Sequence, residues 1–141
     1  NQEYLFFIFA PVRTKTFSNE KDALSLAQNI KRIAEEYNKM AKQKINFGIS
    51  LNYGTIVAKQ EKDSLKFMSM GTLITASKRI ATISSGEILL GEKIKEKLMS
   101  EVKTEKHEKN NVEYYSIKEI KDSDAHGKFI GEFVKRMEGG K

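Results

Sequence analysis

Apolar positions recur along this chain with two periods, and the change of period marks out its elements. Residues 4–10, Tyr-Leu-Phe-Phe-Ile-Phe-Ala, are apolar without a break, rich in aromatic side chains, and end at Pro11. The run is too short for a helix. Apolar on both faces, it predicts a central strand with buried aromatics. Val12–Phe17 is polar and basic and predicts a loop. Beyond it the steps become three and four: Ala23, Leu26, Ala27, Ile30, Ile33, Ala34, Tyr37 and Met40. They predict a helix over Asn19–Lys42, with one apolar stripe lying on a sheet. Asn19 is the expected cap, and Asp22 in the first turn opposes the helix dipole. Lys21, Asn29, Arg32, Glu36 and Lys39 fall on the face expected to meet water.

Short strand patterns then return. Ile45–Leu51 reads as a strand that reaches a glycine turn at Gly54. Thr55–Lys59 and Leu65–Met70 read as two more, the last running into Gly71. A helix opens directly behind Gly71 and carries Arg79, and a strand closes the unit near Leu90. Gly91–Val102 predicts a short helix on which Ile94, Leu98 and Val102 align while Lys93 and Lys97 are solvated. Lys103–Asn111 is polar and fits a strand with Asn110-Asn111 as a hairpin turn. Val112–Ile120 alternates and predicts its partner strand. Asp122–Asp124 breaks the pattern. A last helix, about Ala125–Glu138, carries Phe129, Ile130, Phe133, Val134 and Met137 as a packing face, and Gly139-Gly140-Lys141 reads as a linker. The expected division is one domain over 1–120 and a C-terminal helix and linker over 121–141.

Composition narrows the class. A chain of 141 residues with 39% hydrophobic and 31% charged positions suits one globular domain. It has no cysteine, so disulfides and thiolate metal sites are excluded. His107 and His126 lie in polar surroundings without ligand spacing, which disfavours zinc. Twenty-five basic against 19 acidic residues leave a formal charge of +6. Lysine and glutamate are interspersed, so a solvated surface accounts for the excess. No stretch approaches the ~20 apolar residues of a membrane span. Residues 5–10 lack the basic leader of a signal peptide, and the cytoplasm is the expected compartment. The chain begins at Asn1 rather than methionine and is expected to be a piece of a longer protein.

Three pieces between Ile45 and Leu90 carry a resemblance through their order and spacing. They are Gly48-Ile49-Ser50-Leu51-Asn52-Tyr53-Gly54, Gly71-Thr72-Leu73-Ile74-Thr75-Ala76-Ser77-Lys78-Arg79, and Ser85-Gly86-Glu87-Ile88-Leu89-Leu90. Together they resemble the second half of a class III nucleotidyl (adenylyl/guanylyl) cyclase domain, and the likeness spans about residues 2–120. The resemblance implies an α+β fold, ferredoxin-like, with a mixed or antiparallel sheet and helices packed mainly on one face. It also implies that the family's first strand, which would lie beside residues 4–10, is missing. That run would then carry an unpaired apolar edge, filled by a second copy or by a paired N-terminal segment.

Cyclisation needs two divalent cations, Mg or Mn, held by two carboxylates, and positive groups where charge develops on the α-phosphate. Carried over from the family, the first metal aspartate and the base-selecting lysine have no counterpart here. The second metal position falls on Glu3, which can still bind a metal with altered geometry. The base-selecting aspartate falls on Met68, which cannot accept a hydrogen bond from adenine. The helix asparagine falls on Thr75. Arg79 alone keeps its residue type, four positions further along the same helical face. The resemblance thus places nucleotide contacts at Met68, Thr72 and Arg79, catalytic positions at Arg79 and Thr75, and a metal position at Glu3. Met68 and Met70, beside Phe67, otherwise read as core fillers. Gly48, Gly54 and Gly71 read as turn and close-packing glycines.

Packing positions survive and reacting positions do not. A cyclase-like domain without its chemistry is therefore expected, serving as a regulatory, dimerising or nucleotide-sensing module for ATP or GTP. The alternative is an active cyclase that borrows carboxylates from a partner subunit or a further segment, with Mg or Mn as cofactor. A basic nucleic-acid-binding module is a third reading, disfavoured because no aromatic-plus-basic strand of an RNA-recognition motif is present.

Overall fold

The long amphipathic stripe forms the longest helix. A computed structural model describes residues 2–69 and 71–121 of the chain. The helix, α2, spans Asn19–Met40 and is preceded by a single turn, α1, at Pro11–Thr14. This turn replaces the expected loop. Pro11 supplies a fixed φ at its first position, and Lys15 closes it in the left-handed region at φ 53°. The N-cap of α2 is Ser18, one residue before the expected Asn19, and its side chain makes no capping bond. Glu20 and Asp22 occupy the first turn, where carboxylates oppose the dipole.

Six strands follow: β1 Ile49–Leu51, β2 Val57–Glu61, β3 Ser64–Ser69, β4 Ile88–Leu90, β5 Val102–Lys109 and β6 Val112–Ile120. Helix α3 covers Gly71–Ile83 and α4 covers Glu92–Lys97. Four strands form one mixed sheet in the order β1-β4-β6-β5, and β2-β3 is a separate antiparallel hairpin. β1 runs parallel to β4, with Ser50 opposite Leu89, and β4 runs antiparallel to β6, with Leu89 opposite Ser116 and Leu90 opposite Tyr115. Asn110 and Asn111 join β5 to β6 with φ of 53° and 63°, the two left-handed residues that a tight I′-type turn requires.

The core lies on one face of the sheet, where Leu24 and Ala27 of α2 meet Ile88, Leu90 and Tyr115, with Ile94, Leu98 and Val102 beside them. Leu89, Leu90 and Leu98 are its fully buried large side chains. Alternation sends Ser50 and Leu89 to the other face. There Ser50 Oγ donates to the Ser77 carbonyl of α3 at 2.8 Å. Helices α2 and α3 therefore lie on opposite faces, in place of the layer expected mainly on one. Gly48 lets α3 come close: a Cβ there would sit 2.1 Å from the Ala81 carbonyl oxygen.

Residues 4–10 depart furthest from expectation. They form no strand, and Tyr4, Leu5, Phe6, Phe7 and Ile8 are exposed. A strand needs a neighbour at about 4.8 Å to take its N–H and C=O groups. Among the described residues the sheet ends at β1, and the run lies across an open cleft from it. The C-terminal half of the α2 stripe is likewise uncovered, with Ile33, Tyr37 and Met40 exposed. The predicted helix over residues 125–138, the linker after it, His126 and Met70 lie outside the described residues.

Candidate functional site

The functional side chains predicted from the sequence sit on α3, on β3 before it, and near the start of the chain. Helix α3 begins at Gly71, whose φ of 25° suits a residue without a Cβ. Its hydroxyls turn back on its own backbone: Thr75 Oγ1 donates to the Gly71 carbonyl at 3.3 Å, Ser77 Oγ to Leu73 at 2.7 Å, and Thr82 Oγ1 to Lys78 at 2.8 Å. Helical Ser and Thr commonly do this, and it occupies the Thr75 proton. Thr72 and Arg79 are exposed. Among the described residues Arg79 makes no ion pair or hydrogen bond, so its guanidinium is open to an anion.

Met68 is 60% exposed on β3. It is not the core filler expected, because the β2-β3 hairpin stands apart from the main sheet and every residue of β2 is exposed. Glu3 is exposed, and no group of three or more His, Asp or Glu able to hold a metal occurs among the described residues. No hydrogen bond or ion pair links Glu3, Met68, Thr72, Thr75 and Arg79 to one another among the described residues. Of the predicted positions, Arg79 alone offers a cation and Glu3 alone a carboxylate.

Lys78, which the sequence did not single out, ties the chain start to α3. Its Nζ lies 5.2 Å from the ring centroid of Tyr4 and 5.9 Å from that of Phe6. Tyr4 and Phe6 stack at 6.3 Å, and Tyr4 Oη shares a hydrogen bond with Thr82 Oγ1 at 3.0 Å. Each exposed cation–π contact contributes about 0.5–1 kcal/mol. Only the i, i+2 spacing of Tyr4 and Phe6 hinted at a shared face, and nothing in the sequence pointed to α3 as its partner.

A second unforeseen cluster lies on the β5-β6 hairpin. His107 Nε2 is 2.8 Å from Ser116 Oγ, and its ring stacks on Tyr114 at 5.3 Å. Nucleophile activation would need an orienting carboxylate on the opposite ring nitrogen. Glu105 instead approaches the same Nε2, at 3.9 Å. The set is a cross-strand packing pair, not a hydrolytic triad.

Between residues 4–10, β1, α2 and the β2-β3 hairpin opens a cleft of about 2130 Å³. Its charged lining residues are Glu3, Glu20 and Lys78, in a chain that is 31% charged. On its α2 wall the buried Oδ1 of Asn19 has no hydrogen-bond partner among the described residues.

No protein-family model, curated protein or solved structure matches this chain. Among the described residues no helix is long and apolar enough to cross a membrane.

Proposed function

We propose that this chain is a divergent class III nucleotidyl cyclase-like domain that has lost its chemistry and works as a regulatory module, docking a partner or sensing an anion. The observation that carries this reading is the run of elements from Ile49 to Leu90: strand, hairpin, glycine-led helix with Arg79 exposed, strand. That order matches the resemblance, while the base-selecting position is filled by Met68, which has no carboxylate to accept from adenine, and the position of the helix asparagine by Thr75, whose hydroxyl is turned back on the Gly71 carbonyl. Arg79 retains the capacity to meet a phosphate. With Glu3 at the second metal position in altered geometry and Thr75 in place of the helix asparagine, this reading expects a rate lowered by orders of magnitude, since each ~1.4 kcal/mol is tenfold.

The test is direct. The whole protein incubated with ATP or GTP and Mn²⁺ is expected to form no cyclic nucleotide above the protein-free control. Cyclic product that vanishes on Arg79→Ala would overturn the reading and establish an active cyclase.

A further inference from the structure

We infer that the cleft beside β1 receives one extended strand of another polypeptide, uncharged and apolar, which pairs with the free edge of β1. This goes beyond the proposed function and stands on the sheet edge, not on the cyclase resemblance. Cyclase activity would remove the first reading and leave this one intact.

The edge is open at a definite place. Gly91 N–H donates to the Leu51 carbonyl at 3.0 Å, and Ile49 N–H donates to Ser84 Oγ at 3.2 Å. Backbone polar groups of a strand point alternately to its two sides. Ser50, between them, therefore turns its N–H and C=O away from β4. No backbone partner meets these groups among the described residues. The opposite edge of the sheet is protected: β5 reads Val-Lys-Thr-Glu-Lys-His-Glu-Lys, and such charge is a common block to edge pairing. β1 reads Ile-Ser-Leu and carries no such block.

The far wall of the cleft has the habit of a strand without its hydrogen bonds. Tyr4, Phe6 and Ile8 are 37%, 40% and 39% exposed, whereas Leu5 and Phe7 are 81% and 54% exposed. This is the period of two of extended chain. No backbone hydrogen bond joins residues 2–9 to the sheet among the described residues. Above the gap, Ala23, Leu26 and Ile30 of α2 line the cleft instead of covering a strand. The helix is apolar over a wider sheet than the four strands beneath it.

Size and charge select the occupant. Small-molecule pockets hold roughly 300–1,000 Å³, and this cleft is about 2130 Å³. A nucleotide triphosphate would meet one cation, Lys78, and no carboxylate cluster for its metal. A strand supplies what both walls lack: N–H and C=O groups for Ser50, and apolar side chains for α2. Binding by strand addition draws affinity from the main chain and specificity from alternate side chains.

The test pans a random-peptide phage library against the immobilised 141-residue chain. A synthetic copy of the enriched peptide is then followed by calorimetry and amide hydrogen exchange. The enriched peptides are expected to share an uncharged run rich in Val, Ile, Tyr and Phe. The peptide is expected to slow exchange at Ser50 and at residues 5–9. Ser50→Pro, which removes the edge donor, is expected to weaken binding about tenfold or more. Ser50→Ala, which loses the side-chain bonds to Ser77 and Asn52 but keeps the edge N–H, is expected to bind as the parent does. Phe7→Lys, at an exposed lining position, serves as the second variant if proline unfolds the chain, and it too should weaken binding.

No enriched peptide, or protection at β5 instead of β1, would overturn the inference. So would exchange at Ser50 that already slows with the concentration of the chain alone, which would make a second copy the occupant. Protection of Ser50 by ATP with Mg²⁺ would overturn it in favour of a nucleotide.

Discussion

Single side chains show most sharply where local chemistry was decisive. Gly48 was expected to allow close packing, and a Cβ there would meet the Ala81 carbonyl at 2.1 Å and the Ser84 carbonyl at 2.9 Å. Both obstacles are backbone, so β1 and α3 must part to admit a methyl group. Gly48→Ala is expected to lower unfolding stability by about 1–3 kcal/mol or more, read from urea unfolding. Asn111, at φ 63°, holds a conformation that asparagine tolerates and β-branched residues resist. Asn111→Val is expected to cost about 1–2 kcal/mol by the same measurement. Met68 shows the reverse case. Its apolar surroundings in sequence suggested burial, but the β2-β3 hairpin that carries it stands apart from the main sheet, and Met68 is exposed. Arg79 is exposed and makes no hydrogen bond or ion pair among the described residues, so Arg79→Ala is expected to change stability by no more than about 0.5 kcal/mol, read from the thermal midpoint.

Elements were legible where periodicity is a local property. The α2 stripe, the α3 start behind Gly71 and the Asn110-Asn111 hairpin all follow from residues close in sequence. Ile94, Leu98 and Val102 are an instructive mixture. Their steps of four predicted one helix, yet α4 ends at Lys97 and Val102 opens β5. All three are nonetheless buried in the core. The period reported which side chains face inward, and the turn at Leu98, whose N–H reaches the carbonyls of both Ile94 and Lys95, redirected the chain. Leu98 is fully buried, so Leu98→Ala is expected to cost about 2–5 kcal/mol by denaturant unfolding. The β5-β6 hairpin carries exposed cross-strand pairs, Lys103–Glu119 at 3.3 Å, Lys106–Glu113 at 3.6 Å and Lys118–Glu105 at 3.3 Å. Exposed pairs of this kind contribute about 0.2–1 kcal/mol. Lys106→Ala should therefore shift stability by less than about 1 kcal/mol, a difference that shrinks further in high salt.

Across the whole fold, the informative feature is an imbalance between its two sheet edges. One is long and charged; the other is three residues of Ile-Ser-Leu facing a cleft. Exposed apolar surface gathers around that cleft: residues 4–8 on one side and Tyr53 on the other. Such clustering marks an interaction site more often than scattered single residues do.

The order of amino acids alone located the α2 stripe, the α3 start behind Gly71 and the Asn110-Asn111 hairpin, because periods of two and 3.6 are written in neighbouring residues. It also put a methionine, Met68, where the resemblance would have a carboxylate, and no packing changes that side chain's chemistry. Pairing was beyond its reach. Whether residues 4–10 become a strand depends on a partner edge at hydrogen-bond distance, and that edge belongs to β1, some forty residues further along. The same long-range geometry placed α2 and α3 on opposite faces, swung the β2-β3 hairpin clear of the main sheet, and left the backbone N–H and C=O of Ser50 without a backbone partner among the described residues.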